Sequence, residues 1–273
     1  MITLHELPHN LRELREVKRP LFEREAAAQR ESGGLASRYR SELVRGRAVS
    51  FGFYALAIEG DENLAAAYFK LAAECALSAL TAPKAETAVM ASDIHVVVDS
   101  DTLRTEVASV LPSPGYGPAR MSVIEYQAAF FTLAAFAQDS PWAVAGGIAE
   151  KEYRSPGIVA TDSYYAVIRS YKARALGDTN KGAAELAAAA ADAREAARPD
   201  VKALQALDRG DERAFRCHLL ELLKRHKKQA QERPGAIEML MQPAGMGLCR
   251  LALRKGIRIA DQNYLPLRFS PWY

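Results

Sequence analysis

Residues 204–228, LQALDRGDERAFRCHLLELLKRHKK, carry the pattern from which the rest of the chain is read. A first helix ends at Gly210, because glycine enters the left-handed region without a Cβ penalty. Asp211 then stands where its carboxylate accepts from the free N–H groups of a second helix. Beyond the junction, Phe215, Leu219, Leu222 and Leu223 fall on one apolar stripe, while Arg213, Lys224, Arg225, Lys227 and Lys228 fall on the wet face. None of these residues makes a catalytic set. They suit the holding together of helices, which tilts the function from reaction towards binding.

The same punctuation recurs upstream. Gly60 and Asp61 separate apolar-periodic segments over 35–59 and 62–80, and Gly177 and Asp178 do so within ARALGDTNKGAAEL; Asp139 in FAQDSPWAV is a version without the glycine. Each junction predicts a helical hairpin. The interval from Gly177 to Gly210 nearly fits the tetratricopeptide period of about 34 residues, but the others do not, and that repeat's aromatic and proline positions are missing. The expected fold is therefore all-α: an irregular stack of antiparallel helical hairpins, tetratricopeptide-like in places. A further helix is expected over 10–31, bending or restarting near Pro20. The β-branched run at 94–99, IHVVVD, reads as a short strand or an extended connection, and PSPGYGP at 112–118 excludes regular structure. With no Ser-, Gly- or Pro-rich linker dividing the chain, residues 1–273 read as a single helical domain.

Composition supports an ordinary globular protein, 49% hydrophobic and 25% charged over 273 residues. Its 36 basic and 33 acidic residues leave a net charge of +3, too near balance for a whole-molecule field directed at nucleic acid. Cys75, Cys217 and Cys249 are odd in number and set in apolar helical surroundings, which reads as reduced core thiols in a reducing compartment. The opening MITLHELPHNLRELREVKRP has no apolar run of export-signal or membrane-span length, so the expected location is the cytoplasm, away from membranes.

Two segments imitate catalytic motifs. His5, Glu6 and His9 spell the zinc-protease pattern H-E-x-x-H, but that chemistry needs both imidazoles on one continuous helix, and Pro8 blocks its interior. His218 and His226 lie about 80° apart around a helix, the wrong spacing for chelation. No metal site is expected. Asp99 and Asp101, in HVVVDSDTLR, resemble the first motif of haloacid-dehalogenase-type phosphohydrolases, where a strand delivers a nucleophilic Asp and an acid/base Asp two residues later. That family needs an alternating strand–helix sheet, and Thr102 stands where it carries glycine. A helix N-cap at Asp99, Ser100 or Asp101 is the competing assignment. Phosphate cradles, dinucleotide glycine fingerprints and nucleophile elbows are absent from the sequence, and no cofactor is expected.

Residues 203–267 resemble the immunity protein 49 family of bacterial polymorphic-toxin systems. GDERAFRCHLLELLKRHKK with its aromatic at Phe215, the leucines and His226 before a lysine pair carries the likeness. So do MGLCRLALRKGIRI and the sequence Tyr264, Leu265, Pro266. The PSPGYGP segment and the FSPWY ending depart from that pattern. The resemblance implies a helical, non-enzymatic protein that neutralises a cognate toxin. A monomer or weak dimer is expected. For a basic toxin such as a nuclease, Asp93, Asp99, Asp101 and Glu106 form the acidic segment expected at the contact. A helical-repeat scaffold for another protein partner and a phosphohydrolase using Asp99 and Asp101 are the competing functions.

Overall fold

The computed structural model describes residues 20, 23, 38–81, 121–154, 161–232, 241–260 and 265–273. The acidic segment with Asp93, Asp99, Asp101 and Glu106, the run at 94–99, the H-E-x-x-H residues and all of the 10–31 helix except Pro20 and Glu23 lie outside them. Among the described residues no strand forms and the α-helices follow one another in order. They are α1 (Arg38–Tyr54), continued by a π-helical turn (Ala55–Glu59), α2 (Glu62–Thr81), α3 (Val123–Phe136), α4 (Asp139–Gly147), α5 (Asp162–Ala175), α6 (Thr179–Ala190), α7 (Ala193–Ala196), α8 (Pro199–Asp208), α9 (Glu212–Glu232) and α10 (Pro243–Arg254).

The Gly-Asp junctions form as local chemistry dictates. Gly60, Gly177 and Gly210 have φ of 65°, 85° and 69°, and the aspartate after each accepts at 2.9 Å from the N–H of Leu64, Lys181 and Ala214 respectively. At the second and third junctions the aspartate N–H also reaches back to the carbonyl of Ala173 or Ala206, both at 2.9 Å, which closes a Schellman turn. Helices α1 and α2, α5 and α6, and α8 and α9 pack as the three hairpins. Asp139 departs from the expectation. Gln138 occupies the N-cap of α4 without a side-chain bond, and Asp139, one residue into the helix, receives two arginines instead.

One contiguous cluster of buried residues runs from Val44 to Leu267. On α9, Phe215, Leu219, Leu222, Leu223 and His226 are buried, as the stripe requires. Cys75 and Cys249 are buried, but Cys217 is exposed. Two residues past Phe215 on a helix is about 200° around the axis, which puts Cys217 on the wet face. Helix α2 has the length and apolarity of a membrane span, yet 56% of its apolar window is buried inside the protein, where it packs on α1 and α3.

The stack is closed by α10, which packs on α3, far from it in sequence. Arg250, 1% exposed, donates through Nη1 to the carbonyls of Leu133 (3.1 Å), Ala134 (3.1 Å) and Ala137 (2.9 Å) and through Nη2 to Asp139 Oδ1 (2.7 Å). These carbonyls belong to the end of α3, where Leu133 also accepts from the Ala137 N–H and Ala134 from the Trp272 indole. The guanidinium sits 4.5 Å over the Trp142 ring and 5.6 Å over that of Trp272. Arg254 donates to the Arg174 carbonyl at the end of α5 (2.9 Å) and to Asp139 Oδ1 (2.7 Å). Lys255 donates to Leu207 O at the end of α8 (2.6 Å). Three helix C-termini, each the negative end of a macrodipole, thus converge on cations from one helix. Burial lowers the Arg250 pKa to about 10 against the pull of Asp139, so the group remains charged at neutral pH.

Two expectations follow for stability, both measurable by urea denaturation. Gly210→Ala forces a Cβ into the left-handed region and lowers the unfolding free energy by about 1–2 kcal/mol. Arg250→Met, which removes the donor to the Ala137 carbonyl and a buried cation from Asp139, costs about 3 kcal/mol or more, while Arg254→Met, on the same carboxylate but partly solvated, costs about 1 kcal/mol. Equal effects at the two arginines would contradict the role given to Arg250.

Candidate functional site

A cavity of about 280 Å³ lies between α3 and α5, bounded at one end by the starts of α8 and α10. Local sequence explains how its walls are placed. Ser122 and Glu125 form a capping box that starts α3, which puts Ile124, Gln127 and Phe131 along the cavity. Thr161 caps α5 by accepting from the Tyr164 N–H, and Tyr164, Ile168 and Tyr171 then share one face at helical spacing. Pro199 and Pro243 occupy the first positions of α8 and α10, where proline's fixed φ suits a helix start. Their neighbours Arg198, Asp200, Gln242 and Ala244 complete the lining.

The polar part is a compact charge cluster. The single turn of α7 brings Glu195 within reach of Arg198, whose Nη1 donates to its carboxylate at 2.8 Å. Arg198 Nε and Nη2 grip Asp200 in a fork at 3.1 and 2.7 Å. Burial opposes the guanidinium charge, but Asp200 and Glu195 hold the Arg198 pKa above its ordinary value. The guanidinium lies 5.6 Å over the Tyr164 ring, and the Tyr164 hydroxyl donates to Gln127 Oε1 at 2.6 Å. Tyr171 meets Phe131 edge-on at 5.1 Å. Its hydroxyl is buried and finds no hydrogen-bond partner among the described residues. Burial raises the pKa of both tyrosines, so both stay neutral phenols that donate and accept hydrogen bonds.

A second cluster lies beside the cavity, across Tyr126. Lys172 donates to the Ile148 carbonyl and, at 3.1 Å, to the Tyr153 hydroxyl. Its ammonium stands 5.0 Å over the Tyr153 ring and 5.5 Å over that of Tyr126, which itself stacks on Tyr153 at 3.9 Å. Burial lowers the Lys172 pKa to about 8. The amine ties the segment after α4 to α5.

Of the residues singled out in the sequence, His226 is a core residue and His218 stands 3.7 Å from Glu221 on the partly exposed side of α9. Among the described residues no group of three or more His, Cys, Asp or Glu is placed to hold a metal ion. The Asp93, Asp99, Asp101 and Glu106 segment is beyond the described residues, so the structure neither brings these side chains together nor separates them. Sequence reasoning missed Arg198, Asp200, Tyr164 and Tyr171. The available signals were the tyrosines of SYYAVIRSY at i and i+7 and the charged pair flanking Pro199 in ARPD.

These elements define an all-α protein of packed hairpins with one closing helix and a cavity of about 280 Å³. The family profile of immunity protein 49 matches residues 118–269, over half of the chain and all of α3 to α10. The chain belongs to that family. The match extends the likeness well upstream of 203–267 and takes in the cavity and the α10 cations, while the α1–α2 hairpin precedes it. No curated protein and no solved structure matches the chain.

Lys172 carries a pH expectation. Its folded pKa is below that of an unfolded lysine, so from about pH 8 to 10 the unfolded chain binds more protons and this group's contribution to stability rises with pH. The buried Cys249 thiol, with its raised pKa, works in the opposite direction above about pH 8.5. The difference between wild type and Lys172→Met isolates the lysine, because Cys249 is common to both. Urea denaturation at pH 7.5 and 9.5 should show the wild type gaining on the variant at the higher pH. A difference independent of pH would contradict the assignment.

Proposed function

We propose that this protein is an immunity protein that binds a cognate toxin and neutralises it by covering the toxin's active site or its route to substrate. Membership of the immunity protein 49 family over residues 118–269 carries the reading. The physical character of the fold supports it. Packed helical hairpins present a preformed surface, so little ordering entropy is lost on association, and charged loops speed encounter. The reading assigns no reaction to the protein. The sheet that a phosphohydrolase built on Asp99 and Asp101 needs has no counterpart among the described residues.

Within this reading the chain acts as one domain in the cytoplasm, as a monomer or weak dimer. Asp93, Asp99, Asp101 and Glu106 meet a basic toxin surface, as a nuclease would offer. The test is co-expression with a candidate toxin domain. Growth is rescued and the two proteins co-elute as a stoichiometric complex. Absence of a complex at micromolar concentrations, with both partners folded, would sink the reading. Charge reversal of the four acidic residues slows association by about tenfold at low salt if they steer the encounter, and an unchanged rate constant would remove them from the contact.

A further inference from the structure

We propose that the outward face of α9 is a docking surface for an acidic patch on a partner protein, with Leu220 meeting an apolar side chain within that patch. The identity of the partner as the toxin rests on the immunity reading; the preference for carboxylates rests on the face itself.

Helical spacing sets Arg213, Cys217, Leu220, Lys224 and Lys228 in one outer row, at intervals of four, three, four and four residues. All five are exposed, and the row contains no acid. The acids beside it are engaged elsewhere. Glu212 holds Arg216 at 2.6 Å and Glu221 holds Arg225 at 2.7 Å, and among the described residues neither Arg213 nor Lys224 has an ion pair. The macrodipole gives no reason for these cations. Arg213 stands in the first turn, at the positive end of α9, and the last turn holds no cation. Lys224 and Lys228, four apart on one face, repel each other. Local choices that cost stability without an internal gain are expected where a surface serves a partner.

Leu220 is the second argument. It is 46% exposed among these cations, while Phe215, Leu219, Leu222 and Leu223 fasten α9 to the core from the other side. The face widens along one flank. Arg216 Nη2 donates to the Arg258 carbonyl at 2.9 Å, and the Tyr273 hydroxyl donates to the neighbouring Ile259 carbonyl at 2.9 Å. Exposed Arg258 and Tyr273, itself 50% exposed, thus lie beside the row. Arginine and tyrosine are among the residues that carry most binding energy at protein interfaces. Charge then selects the occupant. Carboxylates complement Arg213, Lys224, Lys228 and Arg258, whereas a second copy of this chain would bring like charges together. A nucleic acid would leave Leu220 and Cys217 facing phosphates they cannot bind, and the net charge of +3 adds no wider field to hold one.

The test follows Cys217, in the middle of the row. Cys75 and Cys249 are buried, so N-ethylmaleimide reports on Cys217 alone. The first probe is a short capped peptide of glutamates around one leucine, titrated into the full chain. It binds in the millimolar range, shifts the amide NMR signals of α9 and slows alkylation of Cys217. The same peptide with serine for leucine binds at least about threefold more weakly, as loss of an apolar contact requires. A thymidine oligonucleotide of equal charge binds no more tightly than the leucine peptide. Arg213→Glu combined with Lys224→Glu, both at exposed positions, abolishes the response. Equal binding of the leucine and serine peptides marks a bare counterion effect and overturns the proposal. Tighter binding of the oligonucleotide assigns the face to nucleic acid and overturns it as well. With the toxin domain, the double reversal slows association by about tenfold at low salt, and the complex protects Cys217. A toxin complex that leaves Cys217 open and ignores the reversal overturns docking at α9 and leaves the immunity reading intact. A wild type that selects the leucine peptide but forms no toxin complex supports the preference of the face and overturns the immunity reading.

Discussion

The convergence of three helix ends on the cations of α10 is the constraint on which the arrangement of the other helices depends. A helix C-terminus leaves up to four carbonyls without donors and carries roughly half a negative charge. Helices α3, α5 and α8 bring such ends together here, and Arg250, Arg254 and Lys255 add a cationic donor to carbonyls that the backbone also serves, as the Gly177 N–H does for Arg174 and the Gly210 N–H for Leu207. Taking the Arg250 guanidinium out of water is expensive, and three carbonyls, one carboxylate and two indole faces offset that cost. The compensation is geometrically demanding. A hydrophobic contact tolerates sliding, but a fork of N–H donors engages its acceptors in one arrangement only, so the cations fix how the hairpins sit as well as help hold them.

This explains why the hairpins do not make a regular solenoid. In a solenoid each unit touches only its neighbours. Here α10 reaches back past α5 to α9 and packs against α3, and Trp272 follows it, donating to the carbonyls of Ala134 and Ala135 at 2.8 and 3.1 Å. Val123 at the start of α3 and Leu267 near the end of the described chain therefore lie in one buried cluster. Contacts so distant in sequence slow folding relative to a local stack. In exchange, the interior is pinned at several points rather than stacked in one direction.

What the sequence makes legible is what is decided within a few residues. Gly210 and Asp211 specify a turn whose hydrogen bonds all fall inside a short window, and Gly60 and Gly177 repeat it. The stripe on α9 is equally local, and its period places Phe215 and Leu222 inward without knowledge of what they meet. Arg250 is the opposite case. Its partners lie more than 110 residues away, and an arginine in LCRLALRK reads as surface until the end of α3 is known to arrive there. Asp139 was misplaced for the same reason: as a helix-start aspartate it looks like a cap, and only the fold brings it two arginines. The cavity draws on four elements, so no single stretch announces it. The acidic segment at 93–106 stands out by charge alone, which selects a residue type but not a surface.

The two ends of α10 tie these observations together. Its last turn holds the ends of α3, α5 and α8, while its first turn, with Gln242, Pro243 and Ala244, lines the cavity between α3 and α5. A helix pinned so firmly at one end has little freedom to move at the other. The spacing of Tyr164, Tyr171 and Phe131 is then set by the same interactions that set the fold. Preformed sites lose less entropy on binding than sites that must be assembled. Arg250 itself lies away from the cavity, on the same helix as Pro243 and Ala244. Residues built for packing thus also set the geometry of the cavity wall.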